Sequence, residues 1–196
     1  MKKSLLSGLL VALIAMSGCK KDENSETSAA VDKKLIISEL FNAGMAWNAG
    51  EKSLNITSPI NIQVENYAYG VDGGYIHVLG SITGNMTLDD QTYAVLGGTM
   101  LLGLTETIND YTMSSNGQIY TLNGAPYVSL AGTFTLLPGG STFGTASSME
   151  IGGGFRLTGP DVDETVNIQI TIIINSNGTG GHVSGTYANE PVDYSF

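Results

Sequence analysis

The two histidines, His77 and His182, are the first residues to consider for chemistry, because neutral imidazole is a common metal ligand. Both occupy the same position in two similar segments, where they alternate with apolar residues. In a β-strand this spacing places both side chains on the polar face. Neither has a cysteine nearby or an evident third ligand in the sequence. We therefore predict solvated histidines and no metal site.

Carboxylates form a second candidate group. Asp161, Asp163 and Glu164 follow Gly159-Pro160 in a short loop and offer the oxygen ligands that calcium prefers. The glycine and the ligand spacing of known calcium loops are missing, so we predict a solvated acidic turn. We interpret Asp89-Asp90 in the same way.

Signals for catalysis are weak in this sequence. It has no Gly-x-Ser-x-Gly elbow to present a serine nucleophile. Its one cysteine, Cys19, lies at the end of the N-terminal apolar segment, with no histidine nearby in the sequence. Paired carboxylates for glycoside hydrolysis are set in space rather than in sequence, so an enzyme of that class is a third alternative. We predict a protein that is not an enzyme and that needs no cofactor.

The N-terminus has the pattern of an export signal. Met1-Lys2-Lys3 is basic, and residues 5–16 form an apolar segment too short to span a bilayer comfortably. The segment ends in Met16-Ser17-Gly18-Cys19, which resembles the lipobox of bacterial lipoproteins. That resemblance implies that Cys19 is lipidated and becomes the mature N-terminus. The alternative is an ordinary signal peptide with an incidental cysteine.

Residues 20–26 form a polar run that cannot bury enough apolar surface to fold, which predicts a solvated tether. Charged residues directly after the cysteine resemble the surface-export signal of Bacteroidetes-type lipoproteins. The resemblance implies an outer-membrane, lipid-anchored protein on the cell surface; a plain linker would leave it on the periplasmic face. We expect a signal peptide over 1–18, a lipidated tether over 19–30, a helical segment over 31–52 and a β domain over 53–196.

The charge of the chain limits its partners. The 196 residues carry 18 acids and 8 bases, a formal net charge of -10. From residue 53 onward one base, Arg156, stands against twelve acids, or 1 − 12 = −11 charges. This charge favours solubility and disfavours anionic ligands, and we expect no nucleic-acid partner, because phosphate binding needs a basic surface. A single cysteine also excludes a disulfide framework.

A short helix is predicted near the start of the mature chain. Asp32 is a candidate N-cap and Gly50 a candidate stop. The segment Leu35-Ile36-Ile37 is also good strand material, so the start of a sheet is the alternative. We expect the only tryptophan to anchor this segment on the β domain. The apolar residues at roughly helical spacing are Val31, Leu35, Ile36, Leu40 and Trp47.

Beyond this segment apolar and polar residues alternate, which is typical of antiparallel strands with one dry and one wet face. Nine or ten strands with no helix between them predict an all-β fold, an antiparallel β-barrel or a strongly curled β-sandwich. The clearest apolar rows are Ile60, Ile62 and Val64, and Val166, Ile168, Ile170, Ile172 and Ile174. Turn signals are Asp72-Gly73-Gly74, Asn116-Gly117, Asn123-Gly124, Pro138-Gly139-Gly140 and Asn177-Gly178.

Three glycines recur in similar segments. Gly80, Gly132 and Gly185 are 132 − 80 = 52 and 185 − 132 = 53 positions apart, and alternation places each on the dry face. A glycine there marks a bulge or the close approach of another backbone, as the curling of a sheet into a barrel requires. Chance recurrence in a glycine-rich chain is the alternative.

Tyrosines are the best candidates for a binding surface. Tyr75 and Tyr127 are expected on the wet face, where an aromatic ring with a polar tip suits a sugar or a protein partner. Tyrosine pairs that only stabilise the sheet are the alternative.

The overall pattern is loosely similar to calycin or lipocalin-like envelope lipoproteins, which implies a small apolar ligand or an envelope partner. The rival hypothesis is a surface adhesion or glycan-binding sandwich.

Overall fold

The structure is a computed structural model that describes residues 32–46, 59–92, 95–138, 147–175 and 180–196. It contains one helix and nine strands in this part of the chain. They are α1 (Lys33–Met45), β1 (Ile60–Tyr69), β2 (Tyr75–Leu88), β3 (Val95–Asn109), β4 (Tyr111–Ser115), β5 (Gln118–Leu136), β6 (Ser148–Gly159), β7 (Val162–Ile174), β8 (Gly181–Tyr187) and β9 (Glu190–Ser195).

Helix α1 begins where the sequence predicts a cap. The Asp32 carboxylate accepts a hydrogen bond from the Lys34 backbone amide at 2.9 Å, which satisfies one of the free amides of the first turn. The predicted helix and its cap are confirmed, and the strand alternative is wrong. The helix ends at Met45, earlier than the predicted stop at Gly50. Gly50 and Trp47 lie outside the described residues.

All nine strands belong to one antiparallel sheet with the order β1-β2-β3-β5-β6-β7-β8-β9, and β4 pairs with β5 beside this path. Nearly every strand therefore pairs with its neighbour in the chain, as in a meander. In the described sheet β1 and β9 are the two ends and do not pair with each other. The predicted all-β antiparallel class with a short N-terminal helix is confirmed, as an open, curled sheet.

The two faces of the sheet differ sharply in burial. In β7, Ile168, Ile170 and Ile172 are buried, whereas Asn167 and Gln169 between them are exposed. We call the buried side of the sheet the inner face and the other side the outer face. The alternation predicted for this strand is confirmed, because each residue turns its side chain opposite to the next.

Helix α1 packs against the inner face. Its first turn reaches the end of the sheet, where Lys33 pairs with Glu190 and the Lys34 ammonium lies 4.8 Å from the centroid of the Tyr194 ring. Side chains of the helix and of the strands from β1 to β9 form one hydrophobic core. A single sheet can share one core with one short helix only by curling around it. The buried helix residues are Ile36, Ile37, Leu40, Phe41, Ala43, Gly44 and Met45.

Inward-facing glycines allow adjacent strands to approach closely. Gly80 and Gly185 have φ angles of 154° and 140°, which side chains rarely tolerate. A Cβ at either position would lie less than 3.0 Å from a backbone oxygen of the next strand, that of Gly103 or Gln169. Gly132 lies between two buried residues of β5 and also faces inward. The predicted inward orientation of these three glycines is confirmed.

One predicted turn is wrong: Asn123-Gly124 lies inside β5. The Asn123 side chain accepts from the Asp110 amide at 2.9 Å and donates to the Asp110 carboxylate at 2.6 Å, so it supports the neighbouring β3–β4 turn. Gly124 lies where the pairing with β6 shifts register, which is typical of a bulge. The turns at 72–74 and 116–117 are confirmed, whereas 139–140 and 177–178 lie outside the described residues.

Candidate functional site

Aromatic side chains cluster on the outer face of the β1–β2 hairpin. Tyr67 of β1 pairs across the strands with His77 of β2, and their rings stack with centroids 4.3 Å apart and planes 7° apart. Tyr75 meets Tyr67 edge-on at 5.5 Å, and Tyr69 stacks on it at 6.4 Å. These distances are those of favourable aromatic contacts. We call Tyr67, Tyr69, Tyr75 and His77 the aromatic patch.

The aromatic patch remains open to solvent despite these contacts. Tyr69 is 75% exposed and Tyr67 is 43% exposed. Val71, at the tip of the hairpin, is exposed as well. The patch therefore combines ring–ring contacts across the strands with ring surface that is accessible to solvent.

The imidazole in the aromatic patch is held from two sides. The Tyr67 ring covers its face, and the His77 Nε2 atom lies 3.3 Å from a carboxylate oxygen of Glu65. Glu65 is itself exposed and adds a negative charge at the edge of the patch. This arrangement orients the imidazole and gives the patch two kinds of contact, flat rings for apolar surfaces and acceptor oxygens for hydroxyl groups.

The two tyrosines predicted from the sequence lie on the outer face but are not neighbours. Tyr75 belongs to the aromatic patch, whereas Tyr127 lies on β5 and is 49% exposed. Strand β3 runs between them, with its exposed residue Thr107 paired to His77. Tyr67 and Tyr69 are site residues that were not predicted from the sequence. The turn signal at Asp72-Gly73-Gly74 could have found them, since it sets Tyr69 opposite Tyr75.

The histidines are separated by the sheet order. His77 lies on β2 and His182 on β8, with β3, β5, β6 and β7 between them. His182 faces the outer side. Its Nε2 atom lies 3.5 Å from Oδ1 of Asp193, and its Nδ1 atom lies 3.4 Å from Oγ of Ser195. The described residues contain no group of three or more histidine, cysteine, aspartate or glutamate side chains that could hold a metal ion.

Of the acidic residues in the Pro160-Asp161 hairpin, Asp163 forms an ion pair with Arg156. Arg156 donates to both carboxylate oxygens of Asp163, each at 2.8 Å, and this lowers the pKa of Asp163. Asp89 likewise accepts from the backbone amides of Gln91 and Thr92, which lowers its pKa. Both groups serve local turns.

A carboxylate that was not predicted from the sequence lies on the inner face. Glu106 of β3 is completely buried, and neither of its carboxylate oxygens has a hydrogen-bond partner in the described structure. Burial raises its pKa well above the ordinary value of 4.5. The signal was present, because Glu106 continues the inward row Leu102, Leu104 and Ile108.

The predicted lipidation site, Cys19, and the export signal lie outside the described residues. Within the described part of the chain, no helix has the length and apolar character that a bilayer span requires. Comparison with protein-family models, with curated proteins and with solved structures found no match for the chain.

Proposed function

We propose that this protein is a non-catalytic binding protein of the bacterial cell envelope, held at the outer membrane by a lipid on Cys19, and that its aromatic patch binds a neutral glycan. The observation that supports this most directly is the set of stacked but exposed rings on the outer face. A sugar ring presents an apolar C–H face that packs on an aromatic ring, while its hydroxyl groups bond to polar side chains.

Polar groups suitable for a sugar flank the aromatic patch. Thr105, Thr107 and Asn109 are exposed on β3, opposite Leu79, His77 and Tyr75 of β2 in the ladder. This part of β3 supplies hydroxyl and amide groups beside the rings. The net charge of -10 and the Glu65 carboxylate disfavour anionic polysaccharides and favour a neutral one.

The position of α1 favours this outer site over an interior site for a small apolar ligand. Such a ligand would need the inner face, and α1 buries seven residues there, among them Leu40 and Phe41. Tyr69, by contrast, needs no rearrangement before it can bind. An envelope protein remains an alternative partner for the same rings, because tyrosine-rich patches also suit protein interfaces.

Binding to soluble polysaccharides tests the glycan proposal. Neutral mannan and β-glucan and the anionic polygalacturonate serve as probes in affinity electrophoresis of the full chain. We expect retardation by a neutral probe, and about two- to tenfold weaker binding for Tyr69→Ala or Tyr67→Ala, since one ring contact contributes roughly 0.5–1.5 kcal/mol. Leu101→Ala is the matched control, because Leu101 is also half exposed on the outer face but outside the patch.

Two results would count against glycan binding: no retardation by either neutral probe, or equal loss in Leu101→Ala and Tyr69→Ala. Retention of a protein partner by the wild-type chain but not by Tyr69→Ala would point to the protein alternative.

Cell fractionation tests the anchor. We expect the wild-type chain in the membrane fraction and the Cys19→Ala chain in the soluble or unprocessed fraction, because a protein held only by its lipid loses the membrane with it. Mass spectrometry of the wild-type N-terminus should show a modified Cys19 as the first residue. An intact, unmodified N-terminus upstream of Cys19 would refute the lipid anchor.

A further inference from the structure

A buried carboxyl lies at the contact between helix α1 and the sheet. Glu106 projects from β3 toward the last turn of α1, where a Cβ on Gly44 would lie 3.1 Å from its Oε1 atom. The absent side chain at Gly44 lets the helix backbone come this close, and Leu130 of β5 packs at the same place. The docked helix thus covers the carboxyl and separates it from water.

The surroundings of Glu106 do not balance a negative charge. Its ladder partners on β2 and β5 are Val78 and Val128, both fully buried. Neither carboxylate oxygen has a hydrogen-bond partner among the described residues. The dipole of the nearby Gly44 amide favours the charged form without making a hydrogen bond to it, but burial is the larger effect and raises the pKa of Glu106.

The titratable groups around Glu106 add to this penalty. On β4, the Tyr111 hydroxyl donates to a carboxylate oxygen of Glu39, on α1, at 2.6 Å. Burial, the Glu39 bond and the charges of Glu39 and Glu106 together raise the pKa of Tyr111. Glu39 and Glu106 therefore both act on Tyr111, so an ionised Glu106 would have a second acid in its vicinity, while its neighbours from β2 and β5 are apolar.

We propose that Glu106 makes the docking of helix α1 depend on a proton: with the carboxyl protonated the helix packs on the inner face, and ionisation releases the helix. In the released state water reaches Glu106, and the apolar inner face beneath the helix becomes accessible. The proton leaves to solvent, and no other group has to change charge.

The direction of the pH effect follows from linkage. The docked state holds the proton at pH values where a hydrated glutamic acid, with a pKa near 4.5, has already lost it. Release of the helix from the sheet, which we call opening, therefore releases a proton to solvent at pH values from about 4.5 up to the raised pKa of Glu106 in the docked state. In that range the opening equilibrium constant rises up to about tenfold per pH unit, so docking is strongest in acid and weakens as the pH increases.

Hydrogen exchange of the full chain between about pH 5 and 9, corrected for the intrinsic exchange rate, measures this opening. We expect the protection of α1 amides to fall with increasing pH, relative to the amides of β5 and β6, the two strands in the middle of the sheet. Glu106→Gln should remove most of that fall and protect α1 better at neutral pH. Glu150→Gln is the matched control, because Glu150 is exposed on the outer face of β6.

Glu106→Leu is a second variant in case the glutamine amide is not tolerated in the core, and it should also flatten the pH dependence. Unchanged protection of α1 in the wild-type chain over this range would overturn the proposal. It would also be overturned if Glu106→Gln kept the full pH dependence, or if helix and strands lost protection together. A failure here leaves the glycan proposal intact, since the aromatic patch and Glu106 lie on opposite faces of the sheet.

Discussion

The inner and outer faces of this sheet are built from the same strands, yet glycine has opposite meanings on them. Gly80, on the inner face of β2, has a positive φ, and a Cβ there would collide with the Gly103 carbonyl oxygen of β3. On the outer face, a Cβ on Gly103 would meet no atom within 4 Å. The inner face is therefore restricted by backbone approach and packing, while the outer face leaves room for side chains to change and for ligands to bind.

Replacing these two glycines gives the sharpest contrast. Gly80→Val should destabilise the fold by about 2–6 kcal/mol, the sum of backbone strain and overpacking. Gly103→Val should leave the free energy of unfolding nearly unchanged, because its side chain enters open space and valine suits a strand. Thermal or urea unfolding of both variants measures the difference. Equal losses would show that the two faces are restricted alike.

Removing one methyl group gives a smaller effect on a single strand. Ile170 is fully buried on the inner face of β7, and Ile170→Val should lower the free energy of unfolding by about 1 kcal/mol. The same change at Ile173, which is 46% exposed on the outer face, should have almost no effect. The change in the urea midpoint of each variant measures this. A larger loss at Ile173 would mean that its side chain packs against something that covers the outer face.

Local signals in the sequence were sufficient for the elements of the fold. Alternation gave the buried row of β7, and the Asp32 cap gave the start of α1. Asn123-Gly124 misled because an Asn-Gly pair favours a turn only where no longer-range contact competes. Here the Asn123 side chain bonds to Asp110, and the backbone continues in β5.

The candidate sites were harder to predict because they depend on pairing across strands. The Tyr67–His77 stack exists only in the register of β1 with β2, which becomes evident from the sequence only when the turn at 72–74 is combined with the alternation of both strands. Glu106 was counted as one acid among many, although its place in an apolar row marked it as inward-facing. Its lack of a partner is a tertiary property that depends on where α1 packs.

The ion pair between Lys33, in the first turn of α1, and Glu190 has a consequence for the order in which contacts form during synthesis. Lys33, at the start of the described chain, pairs with Glu190, 157 positions later. A helix of 13 residues is marginal on its own in water. The contacts of its first turn are therefore complete only after β9 has been synthesised and has joined the sheet. Among the described elements α1 is synthesised first and is the last to complete its contacts, and a chain that lost β9 would lose this ion pair however well its other strands had formed.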